Sequence, residues 1–158
     1  MAATVLFTIT GGEVIPEIEM AVSATILELK KKIKSVLNLK AERQTLRHDN
    51  EELNDDRTIV YYDFKKNVAT LVLHFKPLSG KPKFDITVKD GDDEFNVKVM
   101  ETTSIADLIK KIEKCMGYSI KYMNLYHLST KIEEEDLPIT AYYISEGSKI
   151  EVKYVRFY

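Results

Sequence analysis

The chain has 158 residues, a formal net charge of −2, and 23 basic against 25 acidic side chains. This balanced charge gives no field that would hold nucleic acid or an anionic membrane surface, and no apolar run reaches the roughly 18 residues that span a bilayer. One cysteine, Cys115, excludes an internal disulfide and fits a reducing compartment. Because the N-terminus lacks a signal-peptide pattern, we expect a cytoplasmic or nuclear protein.

The first predicted elements are a β-hairpin and a helix. Alternating apolar residues from Val5 to Ile9 predict a strand, Gly11-Gly12 predicts a turn, and Val14 to Val22 predicts the returning strand. The helix follows over residues 25–39 (TILELKKKIKSVLNL), where Thr25 and Glu28 have the spacing of a capping box and Asn38 suits a helix end. The stripe predicted to face the core is Ile26, Leu29, Ile33 and Leu37, and the lysines expected largely on the solvent side are Lys30, Lys31, Lys32 and Lys34.

The rest of the first half completes a mixed sheet. Arg43 to His48 predicts a short strand, Leu53 an apolar anchor in a charged loop, Thr58 to Tyr62 a helical turn, and Ala69 to Phe75 the last strand. Residues 77–83 then predict a linker, because two prolines stiffen the stretch and a Ser-Gly pair supplies a hinge. The predicted domains are therefore residues 1–76 and 84–158.

The second half repeats this order. Its elements are strands at Phe84–Val88 and Phe95–Val99, a helix over Ser104–Tyr118, a strand at Met123–His127, a helical turn at Ile139–Ile144 and a strand at Ile150–Tyr154. Corresponding residues of the two helices lie 79 positions apart. They are the N-caps Thr25 and Ser104, the core-facing pairs Leu29 and Leu108 and Ile33 and Ile112, and the helix ends Asn38 and Gly117. This constant offset indicates a duplication. The chain is predicted to be α+β, with two domains that each pack a mixed four- to five-stranded sheet on one helix.

Several stretches resemble ubiquitin, whose fold is the β-grasp. In the first half they are Thr25-Ile26, Leu46, Leu53–Ile59 (LNDDRTI) and Thr70–Leu73, and in the second half Ser104-Ile105, Leu125, Ala141–Ile144 and Ser148–Ile150. The resemblance implies two tandem ubiquitin-like domains. It also implies where to look for function, since ubiquitin binds partners through an apolar patch on its outer sheet face and is conjugated through a Gly-Gly tail.

The sequence departs from ubiquitin at each of these places. The two central patch positions correspond to Arg47 and His74 in the first half, which predicts a polar face, and to Tyr126 and Lys153 in the second. A tyrosine beside a cation is a candidate binding anchor, and an incidental surface aromatic is the alternative. The lysine used most often for chain building corresponds to Glu51 and Thr130. The aromatic ending Phe157-Tyr158 replaces Gly-Gly, which predicts that the chain is not conjugated, and these two residues join the candidate protein-binding set.

Other chemistry-bearing residues favour structural explanations. His48 and His127 lack a second ligand or an acid–base partner in their own segments, so we interpret both as structural or surface histidines. Cys115 is predicted to be a buried apolar residue, and the acidic run from Asp90 to Glu94 lacks the spacing of a calcium loop. No catalytic, metal or cofactor site is predicted.

The function predicted from the sequence is a non-enzymatic, non-conjugated tandem ubiquitin-like protein that binds other proteins as a monomer. Its partners would include components of ubiquitin-related pathways, with neither nucleic acid nor membrane among its ligands. The alternatives are a covalent two-domain modifier in truncated or unprocessed form, and the regulatory domains of a longer protein.

Overall fold

The computed structural model describes residues 3–154, which separate into two units between Pro77 and Leu78. Each unit has one five-stranded mixed sheet and one α-helix, so the predicted α+β class is confirmed. No helix among residues 3–154 has the length and apolar character needed to cross a bilayer.

The first unit contains strands β1 (Thr4–Thr10), β2 (Glu17–Ala21), β3 (Gln44–His48), β4 (Glu51–Glu52) and β5 (Val68–Phe75), with helix α1 (Ile26–Leu37) between β2 and β3. The strand order in its sheet is β2-β1-β5-β3-β4. The central pair β1 and β5 is parallel, and the other neighbours are antiparallel. The helical turn predicted around Thr58–Tyr62 is present as a 3-10 helix over Ile59–Tyr62.

The second unit repeats the first element by element. It contains β6 (Lys83–Asp90), β7 (Asp93–Met100), α2 (Ile105–Met116), β8 (Met123–His127), β9 (Thr130–Lys131) and β10 (Lys149–Tyr154), and its sheet order is β7-β6-β10-β8-β9. A 3-10 helix covers Ile139–Tyr142. Within the stretch predicted as a linker, Leu78 packs against the second core, its N–H donates to Glu101 Oε2 at 2.7 Å, and β6 begins at Lys83.

Both helices start and stop at the residues predicted from the sequence. Thr25 Oγ1 accepts a hydrogen bond from the N–H of Glu28 at 3.1 Å, and Ser104 Oγ accepts from the N–H of Asp107 at 3.1 Å. At the other ends, Asn38 (φ 56°) and Gly117 (φ 82°) adopt the left-handed conformation. Because side-chain acceptors satisfy N–H groups that the first turn leaves free, these caps fix where each helix begins.

Each helix buries its predicted apolar stripe against the inner face of its own sheet. The stripe residues that are fully buried are Ile26, Leu29, Ile33, Leu37, Ile105, Leu108 and Ile112. The strands contribute buried residues at alternate positions, as in β6, where Phe84, Ile86 and Val88 are buried. Burying one such side chain contributes about 1.5–3 kcal/mol relative to leaving it in water, so the helix faces and the inner sheet faces together stabilise each unit.

One backbone position after β1 requires glycine. Gly11 has φ 125°, a conformation that residues with a side chain rarely adopt, and a Cβ built there would lie 2.3 Å from the backbone oxygen of Leu73. The β1–β2 turn therefore approaches β5 more closely than any side chain would permit.

Two expectations about the helix surfaces were wrong. Lys30, predicted on the solvent side, is only 6% exposed, and its Nζ lies 2.5 Å from Asp55 Oδ1 in the loop after β4. The aliphatic stem of lysine packs readily against a core while a carboxylate partner satisfies its ammonium, so burial costs little. Cys115, predicted to be buried, is exposed, because the half-buried Met116 takes the position that faces the core.

Candidate functional site

The outer face of the second sheet carries one row of side chains that crosses all five strands. Tyr126 lies between the buried residues Leu125 and His127 on β8, so its side chain is on the face opposite the core. Strand pairing places Tyr126 directly opposite Glu151 on β10 and Lys131 on β9. The full row, called here the tyrosine row, is Glu94, Lys89, Glu151, Tyr126 and Lys131.

The structure brings Tyr126 and Lys153 together, as the candidate site requires. Lys153 Nζ lies 4.8 Å from the centroid of the Tyr126 ring and 3.9 Å from Glu151 Oε2. A cation–π contact at an exposed site is worth about 0.5–1 kcal/mol, and an exposed ion pair contributes a similar or smaller amount. Both contacts are therefore weak enough for an incoming protein surface to replace them.

In the first unit the corresponding face is less polar than predicted. Arg47 and His74 are both exposed, but they are diagonal neighbours, because Arg47 pairs with Val72 and His74 pairs with Thr45. Val72, 39% exposed, lies at the centre of this face and Val68 is 56% exposed. This position of Val72 could have been predicted from the sequence. If Leu46 and Leu73 pair in the core, the next pair along the two antiparallel strands is Arg47 and Val72.

The other two predicted contact residues, Phe157 and Tyr158, lie outside the described residues.

His127 is buried and has a structural role. The side chain is 4% exposed, and its Nδ1 is 2.7 Å from the carbonyl oxygen of Tyr142. Since a carbonyl can only accept, Nδ1 carries the proton. Burial lowers the pKa of His127 below the usual value of 6.5, and the hydrogen bond to Tyr142 opposes that shift. A histidine held neutral in this way serves the fold.

The lowered pKa of His127 predicts that stability falls in mild acid. In the unfolded chain the imidazole takes up a proton near pH 6.5, whereas the folded state resists protonation, so protons favour unfolding. Stability should therefore be full above about pH 6.5 and should decrease as the pH falls below that value. Urea unfolding at a series of pH values measures this, and His127→Phe should flatten the decrease in the second unit. An unchanged pH dependence in His127→Phe would contradict this role.

His48 lies partly exposed at the corresponding place in the first unit. Its ring packs edge-on against Phe64, with centroids 4.9 Å apart, and its Nε2 lies 3.8 Å from Asp49 Oδ2. Within residues 3–154, no group of three or more histidine, cysteine or acidic side chains is placed to hold a metal ion.

A cluster of two tyrosines and one aspartate was missed in the sequence. The hydroxyls of Tyr118 and Tyr154 both donate to Asp90 Oδ2, at 3.3 and 3.2 Å. The hydrogen bond with Tyr118, followed by partial burial and the Asp90 carboxylate, raises the pKa of Tyr154 to about 12. Tyr154 lies at the end of the predicted strand β10 and is 57% exposed.

Comparisons with known proteins were made for the whole chain. The ubiquitin family model matches residues 6–78, and the model of the ubiquitin-like domain matches residues 83–155. No curated protein sequence matches the chain significantly.

Two solved structures are each similar to about half of the chain. One is the solution structure of the ubiquitin-like domain of an Arabidopsis thaliana protein, with 27% identity, a TM-score of 0.47, and coverage of 53% of this chain and 89% of that one. Another is a crystal structure of ATBAG1 in complex with HSP70, with 25% identity, a TM-score of 0.44, and coverage of 48% of this chain. The match spans 42% of that second protein's chain.

The two family matches together cover both folded units, and each covers one. Their boundaries agree with the structural division between Pro77 and Leu78 to within a few residues. The chain therefore consists of two ubiquitin-like domains in tandem.

Proposed function

We propose that this protein is a non-enzymatic interaction module that binds other proteins noncovalently, with the tyrosine row and Lys153 as its main contact surface. The observation that carries the proposal is the position of Tyr126. It lies at the place where the ubiquitin resemblance puts the centre of the recognition patch, flanked across the strands by Glu151 and Lys131. The first unit would add a second, smaller contact through Arg47, Val72 and His74.

The chemistry of Tyr126 supports this assignment. Tyrosine is enriched among the residues that dominate binding energy, because its ring buries a large apolar area and its hydroxyl still makes a hydrogen bond. The Tyr126 hydroxyl makes no hydrogen bond to another residue within 3–154 and is free to reach a partner. Charges of both signs around the ring would then select a partner by complementarity.

The positions of His48 and His127 support a structural role for these two histidines. His127 is committed to the backbone of Tyr142, and His48 packs against Phe64. The partners that we propose to test first are proteins of ubiquitin-related pathways, in the cytoplasm and the nucleus. We propose that the chain itself acts as a monomer.

The proposed contact surface predicts a loss of binding without a loss of stability. Tyr126→Ala should reduce the affinity for a captured and then purified partner by tenfold or more, because the anchor ring is gone, while the melting temperature changes little. Tyr122→Ala is the matched control, since Tyr122 is 58% exposed in the same unit and lies outside the tyrosine row. Affinity would be measured by calorimetry, and melting by circular dichroism.

Two results would refute the proposal. A large fall in the melting temperature of Tyr126→Ala would make Tyr126 a structural residue. Equal affinities of Tyr126→Ala and the wild type for every purified partner would show that binding uses another surface.

A further inference from the structure

A cleft in the second unit lies between α2, β8 and the loop that follows β9. It has a volume of about 380 Å³. Its floor is apolar, because Ile120, Leu125 and Ile132 are buried there and Ile109 and Met123 are partly buried against the same core. We call this surface the β8 cleft. It contains no residue of the tyrosine row, so an inference about it goes beyond the function proposed above.

In the first unit a lysine of the chain itself fills the corresponding place. Lys30 of α1 is 6% exposed, and its Nζ lies 2.5 Å from Asp55 Oδ1. Gln44 of β3 is also buried, and its side-chain amide donates to the carbonyl oxygen of Lys30 at 2.9 Å. The aliphatic stem of Lys30 is therefore taken out of water while its ammonium meets a carboxylate at the surface.

Two substitutions change this place in the second unit. The positions 79 residues after Lys30 and Gln44 are Ile109 on α2 and Met123 on β8, and both line the β8 cleft. Neither side chain carries a charge or a hydrogen-bond donor comparable to those it replaces. The second unit therefore lacks the lysine that occupies the first.

The carboxylate of the ion pair is nevertheless retained. In the first unit the N–H of Leu27 donates to the carbonyl oxygen of Asp55 at 3.2 Å. In the second unit the N–H of Ala106, 79 positions later, donates to the carbonyl oxygen of Glu135 at 3.0 Å. Glu135 is thus the counterpart of Asp55, although it lies 80 positions later, because its loop is one residue longer.

The charges at the rim of the β8 cleft favour a cation. Glu113 and Glu135 line it, against one lysine, Lys121, whose Nζ lies 5.6 Å from the centroid of the Tyr122 ring. Glu135 is exposed and makes no ion pair with any residue between 3 and 154. It lacks the ammonium that Asp55 has, over an apolar floor that suits an aliphatic stem.

We propose that the β8 cleft binds a lysine side chain of a partner protein, which takes the place that Lys30 occupies in the first unit. The ammonium of the partner's lysine would pair with Glu135, and its aliphatic stem would lie on Ile109 and Met123. The first unit does not bind this side chain, because Lys30 already fills the corresponding place.

A lysine peptide and its uncharged counterpart test this proposal on the full chain. The probe is a fluorescein-labelled peptide in which three lysines alternate with glycines. The comparison peptide carries norleucine, which keeps the stem without the ammonium, in place of each lysine. The lysine peptide should bind, with backbone amide shifts concentrated in β8 and residues 132–136, and the norleucine peptide should bind about tenfold more weakly or worse. Rising salt should weaken binding of the lysine peptide.

Two variants remove the site in different ways. Glu135→Gln takes away the carboxylate, and Ile109→Lys supplies the missing lysine from the chain itself, so each should weaken binding of the lysine peptide by about tenfold or more. Glu134→Gln is the matched control, since it makes the same charge change in the same loop at an exposed position that does not line the cleft. It should bind as the wild type does, to within about twofold. Circular dichroism should show each variant folded, and Glu135→Gln decides alone if Ile109→Lys is not.

The proposal is overturned by undiminished binding of Glu135→Gln, by an equal loss in Glu134→Gln, or by no binding at about 1 mM peptide. Equal binding of the norleucine peptide would also overturn it, because the cleft would then select an apolar group rather than a cation. Shifts centred on Tyr126, with loss of binding in Tyr126→Ala alone, would overturn it too and would leave the tyrosine-row proposal standing.

Discussion

Leu108→Ala will lower the free energy of unfolding of the second unit by about 2–5 kcal/mol. Leu108 is 0% exposed, on the face of α2 that packs against the sheet. Truncation there removes buried apolar contacts and leaves a cavity, because Leu108 belongs to a close-packed core that includes buried residues from several strands. Ile33→Ala is expected to cost a similar amount in the first unit, where Ile33 is also 0% exposed.

Urea unfolding followed by circular dichroism measures this loss, analysed with a separate transition for each unit. Lys110→Ala is the matched control, because it shortens an exposed side chain on the same helix and should change stability by less than about 0.5 kcal/mol. A loss below about 1 kcal/mol for Leu108→Ala would show that α2 does not hold the core.

Gly11→Ala will destabilise the first unit by at least about 2 kcal/mol. The new Cβ would lie 2.3 Å from the carbonyl oxygen of Leu73, and the backbone angle φ 125° already disfavours any residue with a side chain. Relief requires the turn to move away from β5, which would weaken the parallel pairing of β1 and β5 around Ile9 and Leu71.

Gly91→Ala gives the comparison for Gly11→Ala. Gly91 also has a positive φ, 63°, but nothing lies within 4 Å of the Cβ that alanine would add. The strain of the left-handed conformation alone should cost about 1–2 kcal/mol. If thermal melting shows equal losses for the two variants, the contact with Leu73 is not what makes glycine necessary at position 11.

Local signals predicted most of the fold because they depend on neighbours in the chain. The caps at Thr25 and Ser104, the stops at Asn38 and Gly117, and the alternation along each strand all act within one or two turns of structure. The 3-10 helix at Ile59–Tyr62 could be predicted although its residues are β-branched and aromatic. The last strand of the unit follows so closely that a further strand would not fit before it.

What the sequence did not show depends on residues far apart in the chain. Lys30 is buried because Asp55, 25 positions later, supplies its counter-ion. The hydrophobic pattern of α1 gives no indication that the loop containing Asp55 packs against this helix. Tyr154 follows the alternation of Ile150 and Val152 on β10 but is exposed, and Asp90 from another strand accepts a hydrogen bond from its hydroxyl. Tertiary packing decides the exposure of both side chains and overrides the hydrophobic periodicity of the helix or strand that carries them.

The candidate site was predictable in part for the same reason. A single alternation rule places Tyr126 outward between Leu125 and His127, and the resemblance supplied its partner Lys153. The cross-strand neighbours Glu151 and Lys131 depend on strand register, and a shift of one residue would have sent them to the other face.

The exposure of Cys115 has a practical consequence for experiments on this protein. It is the only thiol in the chain, and it lies open to solvent on α2 of the second unit. In air, two copies can join through it as a covalent dimer that is unrelated to the proposed contact surface. Assembly state should therefore be measured under reducing conditions or with Cys115→Ser. The same thiol allows a maleimide dye to be attached at one known position.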